Sequence, residues 1–497
     1  IAQLKAEVDS LREAQGGTDA AEDSAGKRRR TNSGGGGDPL RERLAGLKAQ
    51  YESIPQRMSI CSHDSAGSFE PPPAPTGGGG GGRELAKVKK ELKEVANERD
   101  DLQEFTKQQE TMIADLEKSL QASNKARRAL HNTLQELKGS IRVYCRLRPT
   151  LPSEEEQDNF KGEAEFGMNS NGERPGISLT TENQSAFARG GGPGKGQKRE
   201  PVSHSFEFDQ IFGPGDSQEK IFNEVEGVVQ SALDGYRVCI FAYGQTGSGK
   251  THTMTGSTSD HGLIPRALAQ ICGEREEMVR GGWTVDLCCS CVEIYNEQIR
   301  DLLAEKEDEA CKHDILHDKA SGEAMVSNVR WLSVSSVDAA TEALRLASTR
   351  RETACTSRNA QSSRSHSVFQ LRIKASNAKL GDKREGVLNM VDLAGSERLG
   401  TDHQSSKVLK EAQNINKSLS SLVDVISAIA LKHSHVPFRN SKLTHMLSPC
   451  LGKDSKTLML ANISPLITHS AESLNTLRFA EKVNSCTLGP AKKLNAS

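Results

Sequence analysis

Residues 244–251 read GQTGSGKT, the G-x-x-x-x-G-K-[ST] spacing in which backbone groups do as much chemistry as side chains. Glycines at 244, 247 and 249 let the N–H groups of this loop, with those of Gln245, Thr246 and Ser248, wrap a phosphate chain. Lys250 would then neutralise the β and γ phosphates, and the Thr251 hydroxyl would ligate magnesium. The apolar run VCIFAY before the loop and a helical pattern after it supply the strand and helix that such a cradle requires. A second phosphate-facing element is LNMVDLAGSE, where an apolar strand ends at Asp392, a magnesium-shell carboxylate, and Gly395 lets a backbone N–H approach a γ-phosphate. Alone, D-x-x-G is more often a plain turn, so its weight comes from the loop at 244–251. A third, NAQSSRSH at 359–366, sets adjacent hydroxyls and an arginine ahead of a strand, a pattern that an ordinary serine-capped loop also gives.

These loops need a rigid scaffold, and the pattern around them is strand alternating with helix. Apolar runs at 238–243, 284–295, 367–375, 386–392 and 457–463 read as strands; 217–233 reads as a helix opening with Asp216 in capping-box spacing to Glu219. The fold class is therefore α/β. Ahead of this core the period changes: eleven of the sixteen a and d heptad sites from Leu85 to Leu137 are apolar, the exceptions being Arg99, Thr106, Gln109, Ser123 and Arg127. That spacing predicts a dimeric coiled coil, weak in its middle. After Gly139-Ser140 the residues Ile141, Val143, Cys145 and Leu147 alternate as a strand, so rod and core meet with almost no linker. Residues 1–83 combine a stalk remnant with a Gly- and Pro-rich stretch read as a flexible linker, and the opening Ile is read as the start of a fragment. Residues 84–138 form the expected stalk and neck, 139–486 the globular domain and 487–497 a short tail.

With 65 basic and 66 acidic residues the net charge is -1, so a polyanionic partner must be held by a local patch. The eleven cysteines are scattered; Cys288, Cys289 and Cys291 lie in an apolar run and read as reduced core residues, which points to an intracellular protein. No apolar run approaches the roughly 18 residues of a membrane span. The basic run at 27–30 has the form of a nuclear import signal, although such runs in linkers are usually only solvated.

Taken in order and spacing, GQTGSGKTHTM, EIYNEQIRDLL, NAQSSRSH, DLAGSE, NINKSLSSL, VPFRNSKLT and LRFAEKVN resemble a kinesin motor domain across 141–486. Because the rod precedes the motor through LKGSIRVYCRLRP, the chain looks like the C-terminal-motor class, kinesin fourteen, whose members move toward microtubule minus ends. The resemblance implies a P-loop NTPase core with a mostly parallel sheet flanked by helices, ATP and Mg2+ as cofactors, and a microtubule-stimulated ATPase. It implies that Arg146 and Pro149, with His252, flank the adenine, and that Ser362 and Ser363 close over magnesium and the γ-phosphate. Arg364 would pair with Glu397 when the switches shut. Lys407, Lys410, Lys417, Arg439 and Lys442 would meet tubulin; from Thr401 to Lys442 six cations, these five and Lys432, face three anions, Asp402, Glu411 and Asp424. The partners implied are microtubules and a second copy of the chain; few interleaved aromatics argue against nucleic acid. The implied location is the cytoplasm and its microtubules, the spindle included. The class usually has Gly-Asn where this chain has Gly139-Ser140, and the Gly-rich stretch 189–199 is unusual for it. Two other readings are a microtubule crosslinker, against which stand the intact Lys250, Thr251, Arg364, Asp392 and Glu397, and a small-molecule kinase, which leaves rod and switches unexplained.

Overall fold

The expected change from helix to strand falls where the sequence places it. Helix α1, Gly81–Leu137, runs to the junction, Gly139 takes φ +96°, and strand β1, Ile141–Leu147, starts two residues on. That left-handed φ is open to glycine because it has no Cβ to clash. The structure is a computed structural model describing residues 81–156, 160–169, 174–182, 201–305, 311–317, 324–353, 361–397, 406–452 and 455–486. The readings for 1–80, 189–199 and the tail from 487 lie outside these residues.

The chain divides into two units, Ile1–Phe105 and Thr106–Ser497, a boundary inside α1 rather than at its end. In the first unit the described residues are all helical, with Leu85, Val88, Leu92, Val95 and Leu102 exposed as an uncovered apolar seam. In the second unit the last turns of α1 bind the α/β core directly.

That core is a nine-stranded sheet built from β1, β2 (Gln210–Phe212), β3 (Arg237–Tyr243), β4 (Thr284–Tyr295), β5 (Gln298–Asp301), β6 (Leu332–Ser333), β7 (His366–Asn377), β8 (Asp382–Asp392) and β9 (Ser455–Ile463). Its order is β6-β4-β7-β8-β3-β9-β1-β2, with β5 paired to β4. The expectation of a mostly parallel sheet is corrected to a mixed one. The pairs from β8 to β2 are parallel, whereas β6, β4, β5, β7 and β8 pair antiparallel. The cause is a long hairpin: β7 and β8 are joined by a turn after Asn377, which forces them antiparallel, and β8 begins at Asp382 rather than near 386.

Helices α2 (Gln218–Leu233), α4 (Leu263–Arg280) and α5 (Val337–Thr353) bury their apolar sides against one face of the sheet, and α6 (Ser406–Ala430), α7 (Lys442–Leu447) and α8 (Ser470–Asn484) against the other. Strands covered on both faces have no reason to alternate, and β9 is buried at every position. All three cysteines of β4 are free thiols as expected, but only Cys289 and Cys291 are buried; Cys288 is half-buried. The cap of α2 differs from the sequence reading: Ser217, not Asp216, accepts from Lys220 N, and Asp216 instead holds Gly213 N at 2.7 Å.

Candidate functional site

β3 is a central strand, between β8 and β9, and the loop at 244–251 leaves its carboxyl end, where open α/β sheets place their crevice. Gly244 is at φ +151°, and a Cβ there would lie 2.2 Å from Asn462 O; Gly247 and Gly249 are also left-handed. At Gly244 the backbone of Asn462 leaves no room for a side chain. Helix α3, Lys250–Met254, follows directly. Lys250 is buried and folded back, its Nζ donating to Gly244 O at 2.9 Å and Gln245 O at 2.8 Å. Burial lowers its pKa, opposed by the neighbouring Asp392 and Glu397 carboxylates.

The register sets Asp392 at the end of β8 opposite Ala242, two residues before the loop. Its Oδ2 accepts from the Thr251 hydroxyl at 2.7 Å and from Arg351 Nη1 at 2.9 Å, while its buried Oδ1 has no hydrogen-bond partner among the described residues. Gln245 Oε1 and Ser248 Oγ are also buried with no partner among the described residues. A buried carboxylate oxygen costs free energy unless something satisfies it, so a hydroxyl, a carboxylate and an orphaned oxygen together fit a hydrated divalent cation.

The two switch segments are tied to each other and to the cradle. Gly395 N donates to Ser363 O at 2.9 Å and Ser396 N to Gly244 O at 3.1 Å. Glu397 accepts from Thr246 N at 2.8 Å and Thr246 Oγ1 at 2.5 Å, so its carboxylate is held by the phosphate loop rather than by Arg364. A Cβ on Gly395 would fall 2.2 Å from Glu397 Oε2 and 2.3 Å from Thr246 Oγ1, so any side chain there would have to displace this carboxylate clamp. Arg364 is half-buried in a small pocket with Asn296, Glu297, His366 and Asn414. The Ser362 side chain lies outside the described residues.

Arg146 is buried, its Nη1 donating to Gln218 Oε1 at 3.0 Å and Thr253 Oγ1 at 2.8 Å; burial lowers its pKa. Gln218 in turn bonds His252 through both ring Nδ1 and carbonyl, so Arg146 reaches His252 through an intermediary the sequence reading did not name. Pro149 is exposed nearby. Arg148 was also missed: its Nε donates to Gly247 O at 2.6 Å and its guanidinium pairs with Glu154. Arg351 carried no sequence signal, since it stands 41 residues from Asp392. His366 sat inside a quoted motif without a role; it is buried, and burial, with Arg351 and Lys250 nearby, pushes its pKa down to about 3.

Of the proposed track residues, Lys417 and Arg439 are exposed on α6 and on the single turn Phe438–Asn440. Lys442 is half-buried, with its N–H on Glu297 at 3.0 Å and its Nζ 3.6 Å from Asp314. Lys407 and Lys410 lie in α6 with side chains outside the described residues.

The end of α1 packs on the core through one polar face. Arg142 Nη2 donates to Gln135 O at 2.8 Å and to Gln135 Oε1 at 2.6 Å, His131 Nε2 to Gly227 O at 3.0 Å, and Lys456 Nζ to Asn132 Oδ1 at 2.8 Å. The apolar Leu130, Leu134 and Leu137 remain exposed.

Residues 146–486 match the model of the kinesin motor domain. The chain is 45% identical over 396 residues to the kinesin-like protein KIN-14N of Oryza sativa subsp. japonica, covering 77% of this chain and 49% of that protein. It is also 45% identical over 385 residues to carboxy-terminal kinesin 2 of Xenopus laevis, covering 76% and 58%. The chain thus spans about half the length of the curated relatives it matches. Among solved structures, the C-terminal motor and motor homology domain of Kar3Vik1 fused to a synthetic heterodimeric coiled coil superimposes with a TM-score of 0.69 at 39% identity, covering 80% of this chain and 99% of that one.

Proposed function

The chain belongs to the kinesin motor family, and from that premise we propose that it is an ATP-driven microtubule motor directed toward minus ends. Bound ATP with magnesium supplies the phosphoryl group and the charge that offsets its oxygens. Thr251, Asp392 and Ser363 are the residues to hold the metal shell, and Lys250 to turn from the carbonyls of Gly244 and Gln245 toward the β and γ phosphates. Arg146, through Gln218 and His252, shapes the base end of the cradle together with Pro149.

The observation that carries this reading is the set of bonds a γ-phosphate would compete for: Gly395 N to Ser363 O, and Thr246 to Glu397. Releasing Glu397 from Thr246 frees it to pair with Arg364, and that pair orders the waters that attack and carry away the proton. Loss of the phosphate contact at Gly395 lets α6 shift, with Lys407, Lys410, Lys417, Arg439 and Lys442 as the cations facing acidic tubulin. Two copies join through the exposed seam of α1, and the location follows the track: cytoplasm, microtubules and spindle. The similarity to carboxy-terminal kinesins supports the direction. ATP turnover measured with and without microtubules, followed by gliding of polarity-marked filaments, tests the proposal. Strong stimulation with minus-end gliding is expected; binding without turnover would leave a crosslinker, and plus-end gliding would overturn the direction.

A further inference from the structure

One buried side chain touches both the phosphate-sensing segment and the helix expected to face the track. Ala394 N donates to His366 Nδ1 at 3.0 Å, which makes that nitrogen the acceptor and leaves the proton on Nε2. Nε2 lies 2.7 Å from Ser418 Oγ and donates to it, and Ser418 Oγ donates onward to Ile415 O at 2.7 Å. The residue after Ala394 is Gly395, whose own N–H is on Ser363 O, and three positions after Ser363 comes His366. Ala394, His366 and Ser418 are all buried, with Ser418 at 2% and His366 at 2% exposure, so water does not compete for the bonds between them.

We infer that His366 and Ser418 are positioning residues that convey the phosphate state of the 392–397 segment to α6, and so set how strongly nucleotide and microtubule binding influence each other. The imidazole reads the backbone at Ala394 on one side and grips the α6 backbone, through Ser418, on the other. A displacement of Ala394 when Gly395 exchanges Ser363 O for another acceptor must move the ring, and the ring must move Ser418 or lose its bond. The other described polar tie of α6 to the sheet side, Asn414 to Asn296, ends in the loop between β4 and β5 and has no bond to the phosphate segment. The neutral imidazole suits this role, since burial keeps it unprotonated at neutral pH and the donor and acceptor ends stay fixed.

This inference rests on the motor reading, and the test separates the two. Microtubule affinity is measured by cosedimentation in ADP and in a non-hydrolysable ATP analogue, for the parent, Ser418→Ala and Ser418→Thr. Linkage makes the ratio of the two affinities the measure of coupling. The parent is expected to show a clear ratio; Ser418→Ala should reduce it about three- to tenfold, the worth of one buried hydrogen bond, while ATP turnover without microtubules stays unchanged. Ser418→Thr, which keeps the hydroxyl, should restore the parental ratio. If Ser418→Ala keeps the full ratio, or Ser418→Thr loses it as completely as Ser418→Ala, the relay is discarded while the motor reading stands. A parent chain indifferent to microtubules overturns the motor reading and the relay with it.

Discussion

Glu397 illustrates how a single carboxylate can clamp the phosphate loop. In its present position it satisfies both the N–H and the hydroxyl of Thr246, a clamp across the mouth of the cradle. Glu397→Ala removes the clamp and the proposed partner of Arg364 together, without touching Lys250 or Thr251. The variant should therefore bind ATP at least as tightly as the parent by calorimetry, while microtubule-stimulated turnover falls about 100-fold or more. A parental rate in that variant would discard the switch mechanism. Acid sensitivity also belongs to individual residues. His366 titrates near 3 in the fold and near 6.5 when unfolded, so between these values the unfolded chain binds the extra proton and stability rises with pH. Lowering the pH from 6.5 to 5 should reduce unfolding free energy by up to about 1.4 kcal/mol per pH unit from this group. His131, His252, His445 and His469 are lowered by burial too and act with the same sign. Denaturant midpoints that stay constant over that window would contradict the buried, neutral assignment.

Between elements, α1 approaches α2 closely at Gly227. A Cβ added at Gly227 would meet Gln135 Nε2 at 2.7 Å and His131 Cε1 at 3.5 Å, so this mid-helix glycine, normally a cost of about 1 kcal/mol relative to Ala, makes room for the neck. Gly227→Ala should leave the core at least as stable, yet displace Gln135 from Arg142. The expected readout is faster amide exchange in the last turns of α1 with no change in β3 or β8, and unaltered protection in α1 would refute the close-packing argument. On the opposite face, combined Arg439→Glu and Lys442→Glu should weaken microtubule binding about tenfold or more and make its dependence on salt shallower, because fewer attractive contacts remain to be screened. Cosedimentation equal to the parent would place the interface elsewhere.

For the chain as a working unit, the proposed motor function requires that a small rearrangement near Gly395 become movement of α1. Lys138 N still bonds Leu134 O, Gly139 turns the chain, and Ser140 O already accepts from Thr457 N at 2.7 Å, so the helix passes into the sheet without slack. A flexible Gly-Ser insert of about ten residues between Lys138 and Gly139 behaves as a coil and cannot carry torque. Its expected effect is near-normal ATP turnover with loss of directed minus-end gliding. Gliding at parental speed would mean that the junction is only a tether and that direction is set in the core.

Local spacing was enough for the phosphate loop, the strand-end Asp392 and the helix-to-strand change at Gly139, because each depends on neighbours within a few residues. The apolar seam of α1 was legible for the same reason, as a repeat along one helix. The sheet's mixed pairing was not: parallel and antiparallel strands bury the same residue types, and the β7–β8 hairpin appears only once the turn after Asn377 is folded. Nor did any pattern announce Arg351 beside Asp392, His366 beneath Ser418, or Gly227 beneath Gln135. These partners lie 41, 52 and about 90 residues apart, and their meeting is decided by strand order and helix packing, which bring together side chains whose chemistry is complementary only across that distance.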